Sequence, residues 1–457
     1  MGIHIEGRCT DGVISTPFSG PLNVKIDLPA GAQTVRLTAR YRDQQQRDWV
    51  SEVVLPEAAS GRSQWRSVTD SPLTGSYEGV DPGGLIWSAR PVSQSDLGGP
   101  VPGDASPGDL DTPLSAPLAE AFSARWRLSF ECDAAVVAEC AATRDLSTNV
   151  RWRALRHRLL RGVLFEPRSP ATRPALGAII LGGSEGGAPL GRAAALAEAG
   201  ISALALGYFA YEDRPALGCN LPLEYFFEAV DWLCTELGVA RIGLFGSSRG
   251  SEAAAYTASQ CAERIGAVVL QAPSPVCNGG LSDHDVDFRL DDSAMWSLDG
   301  HALRVPPFPP ESSAEAQTRA QAMAQPPGHR FAPEFAALWE SEGYRQLHQL
   351  PVAACPAPFL LLAGADDGLW PSALGARWLA QQRQGQPTQT VIYPGVGHAL
   401  RPPIGPDPWS SLAVWHQQFG VTHGCCDYGG SPARNAAAGA DSLQRTAHFF
   451  HEHLSQA

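Results

Sequence analysis

The stretch RIGLFGSSRGSEAAAYTASQC, residues 241–261, decides the fold. Ile242–Phe245 is a short apolar run of the kind that forms a buried strand, and Ser251–Cys261 is rich in small helix-forming residues. Between them lies Gly246-Ser247-Ser248-Arg249-Gly250, a G-x-S-x-G pattern. That pattern marks a strained strand-to-helix turn that lifts a serine hydroxyl above the sheet. The helix N-terminus that follows stabilises negative charge there. Glycines at 246 and 250 let strand and helix approach closely. Ser248 is the expected nucleophile.

The same pattern occurs once more, centred on Ser184 in Gly182-Gly183-Ser184-Glu185-Gly186-Gly187. There Gly186, Gly187 and Pro189 delay the next helix, so the segment reads as a loop whose backbone N–H groups face the site. One strand (Ala203–Phe209) and one helix (Leu223–Leu237) separate the two glycine-rich loops, the order found in α/β-hydrolases. The oxyanion donors expected from this order are the backbone N–H of Arg249 and one from the Ser184–Glu185 loop.

A serine hydroxyl needs a base, and the base needs an orienting carboxylate. Strand Phe359–Leu362 runs into Ala363-Gly364-Ala365-Asp366-Asp367-Gly368, and strand Thr388–Tyr393 into Pro394-Gly395-Val396-Gly397-His398. The order Ser248, Asp367, His398 follows the α/β-hydrolase order. All three sit at the C-terminal ends of strands, where open α/β sheets carry their sites. A G-x-x-D spacing favours Asp367 over Asp366 as the acid. Among twelve histidines, His398 alone directly follows a glycine-rich strand end.

Outward from this core, the chain changes character near residue 150. Before it, apolar residues alternate with polar ones (Leu22-Val24-Ile26, Val35-Leu37, Trp49-Val53-Val54) between turn clusters such as Pro29-Ala30-Gly31. Such alternation predicts an all-β, immunoglobulin-like sandwich over residues 1–145, closed by strands near Ala124–Phe130 and Ala135–Ala141. Ser93–Ser115, rich in Pro, Gly, Ser and Asp, reads as a long surface loop. Residues 146–457 form an α/β domain with an insertion at about 278–350, expected either as a lid or acyl pocket lined by Met295, Trp296, Phe308 and Trp339 or as a loop packed by its own apolar residues.

Composition narrows the chemistry. The 457 residues are 44% hydrophobic with a net charge of −13, which argues against a nucleic-acid partner. Lys25 is the only lysine, so a catalytic lysine elsewhere is excluded. No apolar run is long enough for a membrane span, and MGIHIEGRCTDG at the start lacks a signal-peptide pattern, so a cytoplasmic protein is expected. Ten cysteines without a CxxC pair imply free thiols, the vicinal Cys425-Cys426 included. Asp283-His284-Asp285 with Asp287 reads as a solvated acidic face rather than a metal site. Glu252 reads as compensation of the helix dipole or support behind the nucleophile, and Cys219 and Cys277 as small hydrophobes. No metal or redox cofactor is expected.

Several motifs resemble those of the long-chain acyl-CoA thioesterases and bile-acid-CoA:amino-acid N-acyltransferases. They are Gly75-Ser76-Tyr77-Glu78-Gly79-Val80, Gly84-Leu85-Ile86-Trp87, Tyr208-Phe209-Ala210-Tyr211-Glu212-Asp213, Leu223-Glu224-Tyr225-Phe226-Phe227-Glu228, the elbow GSSRGSE, AGADDGLW, YPGVGHALRPP and Gly429-Gly430-Ser431-Pro432. The resemblance implies a β-sandwich with an α/β-hydrolase domain and an acyl-CoA or similar thioester as substrate. It places the nucleophile on Ser248, the acid on Asp367 and the base on His398. Conjugating members of that family typically carry cysteine where this chain has serine, and the ending Leu454-Ser455-Gln456-Ala457 is no peroxisomal address. An acyl-serine is an oxygen ester, less prone to aminolysis than an acyl-cysteine. Hydrolysis of the thioester is therefore the first expectation, transfer to an amine acceptor the second, and carboxylesterase action a third.

Overall fold

The computed structural model describes the chain apart from residues 1, 11–12, 33, 44–46, 57–62, 93–122, 147–149, 169–174, 281–293, 304, 306–311, 326, 342, 345–347, 408–409, 416–423 and 456–457. The chain divides into two compact units: Met1–Pro107 with Leu114–Thr148 and Pro402–Trp409, and Gly108–Pro113 with Asn149–Arg401 and Ser410–Ala457.

The first unit is built from β-strands. One three-stranded sheet runs Ile3–Ile5, Val24–Asp27, Gln64–Arg66. A larger sheet carries the long hairpin Ser123–Cys132/Ala135–Asp145 in its middle, with Val35–Arg42 and then Asp48–Leu55 beside Ser123–Cys132. Alternation is plain in Asp48–Leu55, where Trp49, Ser51, Val53 and Leu55 turn inward and the residues between them do not. The hairpin turns at Asp133 and Ala134, both at positive φ, as a two-residue loop matched to strand twist requires. Ser93–Ser115 lies outside the described residues.

Pro402–Trp409 belongs to this unit, although a linear boundary at 145/146 assigns it to the α/β domain. The reason is a buried cation: Arg144 donates to the carbonyls of Ile404 and Gly20, and Asp407 N–H donates to the Trp87 carbonyl. Burying a guanidinium is tolerable only when its charge meets acceptors, and here backbone carbonyls accept from both its Nη1 and its Nη2.

The second unit is a doubly covered eight-stranded sheet in the order Val150–His157, Leu160–Pro167, Ser202–Gly207, Gly177–Leu181, Ile242–Ser247, Ile265–Gln271, Phe359–Gly364, Thr388–Tyr393. The first two strands form a hairpin, Leu160–Pro167 runs antiparallel to Ser202–Gly207, and the others are parallel. Central strands such as Ile265–Gln271 are buried at every residue, which is why they read as unbroken apolar runs. The edge strand Val150–His157 is different: its arginines face solvent and pair with Glu166, Glu212 and Glu236. Helices Leu190–Glu198, Glu224–Leu237, Arg249–Gln260, Ser372–Gln382 and Pro432–Leu454 provide the connections and the final cover.

The insertion after Ile265–Gln271 is partly ordered into elements of its own. Trp296–Leu298 pairs with Leu221–Pro222, and helices Ser313–Met323 and Ala332–Glu340 follow. Phe331, Phe335, Leu338 and Trp339 pack with Trp370 in one apolar cluster. Phe308 and the Asp283–Asp287 group lie outside the described residues.

Candidate active site

Ser248 stands where the sheet hands over to a helix. Strand Ile242–Ser247 ends immediately before it and helix Arg249–Gln260 begins immediately after it, with Ser248 at φ 53°, ψ −123°. A non-glycine residue there is strained, and the surroundings hold it in place. Its N–H donates to the Gln271 carbonyl at 2.9 Å. A side chain at Gly246 would strike the Gly250 backbone, and one at Gly250 the Gly182 carbonyl, so both positions need glycine for approach.

The structure brings three of the sequence-predicted residues into one chain of hydrogen bonds. Ser248 Oγ lies 3.0 Å from His398 Nε2, and His398 Nδ1 lies 2.9 Å from Asp367 Oδ2. All three are buried. An ionised carboxylate only accepts, so the His398 proton belongs on Nδ1 and Nε2 is left to accept from Ser248. The second oxygen of Asp367 accepts from the N–H groups of Leu369 and Trp370 at 3.0 and 3.2 Å. His398 is anchored by its own N–H to the Tyr428 carbonyl at 2.7 Å, between the rings of Trp370 and Tyr428. Asp366 points elsewhere: it accepts from Arg330 Nη2 at 2.8 Å and from Gly430 N–H at 2.9 Å.

On the other side of Ser248 is the loop after strand Gly177–Leu181. Gly183 is the loop residue that presses on the nucleophile, since a Cβ there would stand 2.9 Å from Ser248 Cβ. Ser184 is half-buried and Glu185 exposed. The Glu185 carboxylate folds back to accept the Gly183 N–H at 2.9 Å. Tyr208 fixes the loop from below, donating to the Gly182 carbonyl at 2.7 Å.

Trp296 and Trp339 are not where a pocket-lining role needs them. Both are fully buried, with the Trp296 indole N–H donating to Glu252 at 2.9 Å and that of Trp339 to Asn278 at 3.1 Å. Met295 is fully buried as well. Glu252, which position alone reads as dipole compensation or support behind the nucleophile, is fully buried and has four N–H partners. Burial pushes its pKa up, while Arg249 and the other donors pull it back. Cys277 behaves as a buried hydrophobe, its thiol pKa pushed well up by burial. Sequence reasoning missed Tyr208, Gln271, Asn278 and Tyr428. Only Tyr208, inside the recognised motif YFAYED, carried a local signal.

No group of three or more His, Cys, Asp or Glu side chains suited to a metal ion occurs among the described residues. No helix among them is long and apolar enough to cross a membrane.

Sheet order, strained elbow and hydrogen-bonded serine, histidine and aspartate define an α/β-hydrolase. Residues 221–456 match the family described as BAAT / acyl-CoA thioester hydrolase C terminal, and residues 20–110 match its N-terminal region. The chain belongs to that family. It is 28% identical to mouse acyl-coenzyme A thioesterase 5, over 95% of this chain and 94% of that one. Human acyl-coenzyme A thioesterase 1 is also 28% identical, over 98% and 95%. Rat acyl-coenzyme A amino acid N-acyltransferase 2 is 26% identical, over 97% and 98%.

Proposed function

We propose that the chain is a serine-dependent enzyme that cleaves acyl-CoA-type thioesters through an acyl-enzyme and delivers the acyl group to water. The observation that carries this is the continuous path from Ser248 Oγ through His398 to Asp367, at 3.0 and 2.9 Å, in a chain of this family. His398 Nε2 takes the Ser248 proton as Oγ attacks the thioester carbonyl. The C–S bond then breaks, and the proton on Nε2 passes to the departing thiolate. Water, deprotonated by the same nitrogen, attacks the acyl-serine and frees the acid and Ser248. Asp367 keeps the Nδ1 proton in place and stabilises the imidazolium.

The oxyanion is held by the Arg249 N–H, at the start of its helix, and by an N–H of the Ser184–Glu185 loop. A donor of this type is worth about 3 kcal/mol of barrier. The thiol side of the donor is CoA or a carrier protein, the enzyme works in the cytoplasm, and it needs no cofactor of its own. A second reading, transfer to an amine such as an amino acid, is favoured by the likeness to the rat N-acyltransferase along nearly the whole of both chains. Serine in place of cysteine favours water.

Product mass spectrometry tests the choice. Short-, medium- and long-chain acyl-CoAs are incubated with the enzyme, with and without glycine, taurine and a mixed amine pool. Free acid unaffected by amines is the expected product. An amide formed with one amine overturns hydrolysis in favour of transfer.

A further inference from the structure

The mechanism above leaves one buried ionisable group unused. Glu252 is 0% exposed, in the first turn of helix Arg249–Gln260. Its Oε1 accepts from Arg249 Nη1 at 3.4 Å and from Asn278 Nδ2 at 2.9 Å, and its Oε2 from Asn278 N at 3.3 Å and Trp296 Nε1 at 2.9 Å. Four N–H groups on two oxygens use the full accepting capacity of a carboxylate. A buried charge so completely satisfied is held in one geometry, because moving it leaves donors and charge unpaired at once.

Both sides of the proposed oxyanion site lead back to this group. On one side, Arg249 is the residue directly after the nucleophile; its guanidinium is tied to Glu252 and lies 5.6 Å from the Trp370 ring, which packs edge-on against His398. On the other side, Glu252 fixes the Trp296 indole, and Trp296 packs against Tyr208 with ring centroids 6.0 Å apart. Tyr208 in turn holds the Gly182 carbonyl, immediately before the loop residue that abuts Ser248. Asn278 extends the same network to Trp339.

We infer that Glu252 is a positioning residue that sets the two donor segments of the oxyanion site together, Arg249 directly and the Gly182–Glu185 loop through Trp296 and Tyr208. This rests on the reading that Ser248 attacks a carbonyl. A carboxamide at 252 is nearly isosteric but turns one acceptor into a donor aimed at N–H groups. The cost falls on donor placement, and hence on the transition state rather than on substrate binding.

The test compares wild type, Glu252→Gln, Tyr208→Phe and the double variant, with active sites counted by fluorophosphonate titration so that rates refer to correctly folded sites. A trifluoromethyl ketone, which forms a tetrahedral adduct with the serine, reports on the oxyanion site itself. Per titrated site, Glu252→Gln should lower kcat on decanoyl-CoA by about 10- to 100-fold with KM within about threefold, and weaken the ketone in parallel. Tyr208→Phe should act in the same direction, and the double variant should be less impaired than the product of the two losses. Unchanged kcat per site in Glu252→Gln, or losses that multiply, overturn the proposal. If Glu252→Gln yields no folded protein, Tyr208→Phe decides alone: unchanged kcat and ketone affinity overturn it. Failure of the underlying serine reading shows separately, as wild type that the phosphonate does not label.

Discussion

Asp366 and Asp367 are neighbours in the chain and serve different partners: Asp367 Oδ2 lies 2.9 Å from His398 Nδ1, whereas Asp366 bridges Arg330 and the Gly430 amide. Successive side chains leaving a strand end diverge, so only one of the pair can reach the imidazole. Asp367→Asn removes the acceptor that fixes the His398 tautomer and should lower kcat by about 10³- to 10⁴-fold without unfolding the protein. Asp366→Asn breaks an ion pair that is largely exposed on both sides, so it should cost under about 1 kcal/mol of stability and less than about tenfold in kcat. Steady-state kinetics with thermal melts distinguish the two, and the reverse ranking would assign the acid to Asp366.

The backbone at Ser248 carries a cost that function imposes. At φ 53°, ψ −123° a side chain is strained by about 1–3 kcal/mol, and glycine removes that strain while losing about 0.5–1 kcal/mol to chain entropy. Ser248→Gly should therefore stabilise the second unit by roughly 1 kcal/mol and abolish turnover. Denaturant melts check the first half; a destabilised variant would mean that the elbow is relaxed.

Gly183 leaves no room for a methyl group. In Gly183→Ala the new carbon would meet Ser248 Cβ at 2.9 Å and Glu185 Oε2 at 2.8 Å. The carboxylate can swing away, but Ser248 is fixed by its helix, so the loop has to shift. Displacements of this kind cost about 10- to 100-fold in kcat. Kinetics on an acyl-CoA should show that loss with the melting temperature little changed.

The nature of the nucleophile bears on the acceptor. Ser248→Cys forms a thioester intermediate, which amines attack more readily than an oxygen ester. With saturating glycine, the ratio of amide to free acid should rise above that of the wild type. An unchanged ratio would place acceptor choice in the surrounding pocket.

Much of this site was legible because its parts sit at strand ends spelled out by glycine: GSSRG, AGADDG and PGVGH each announce a turn and what it presents. The central strands were legible for a related reason, since burial on both faces leaves only apolar residues. The hairpin Val150–Pro167 was not, because its edge strand is arginine-rich and its partners Glu212 and Glu236 lie far along the chain. For Glu252 the position on the helix was legible, and with it the choice between dipole compensation and support behind the nucleophile; its burial was not, because Asn278 and Trp296, which satisfy it, arrive from an insertion with no periodic pattern. The excursion of Pro402–Trp409 into the first unit depends on the buried cation of Arg144, which no local stretch of sequence reveals.

The most direct test of the account is to trap the acyl-enzyme. Wild type and Ser248→Ala are mixed with decanoyl-CoA, acid-quenched within the first turnovers, digested and mapped by mass. The account predicts a decanoyl group on the peptide containing Ser248 in the wild type, and in the variant neither adduct nor release of CoA. Steady CoA release by Ser248→Ala, or an acyl group found on a cysteine instead, would contradict it.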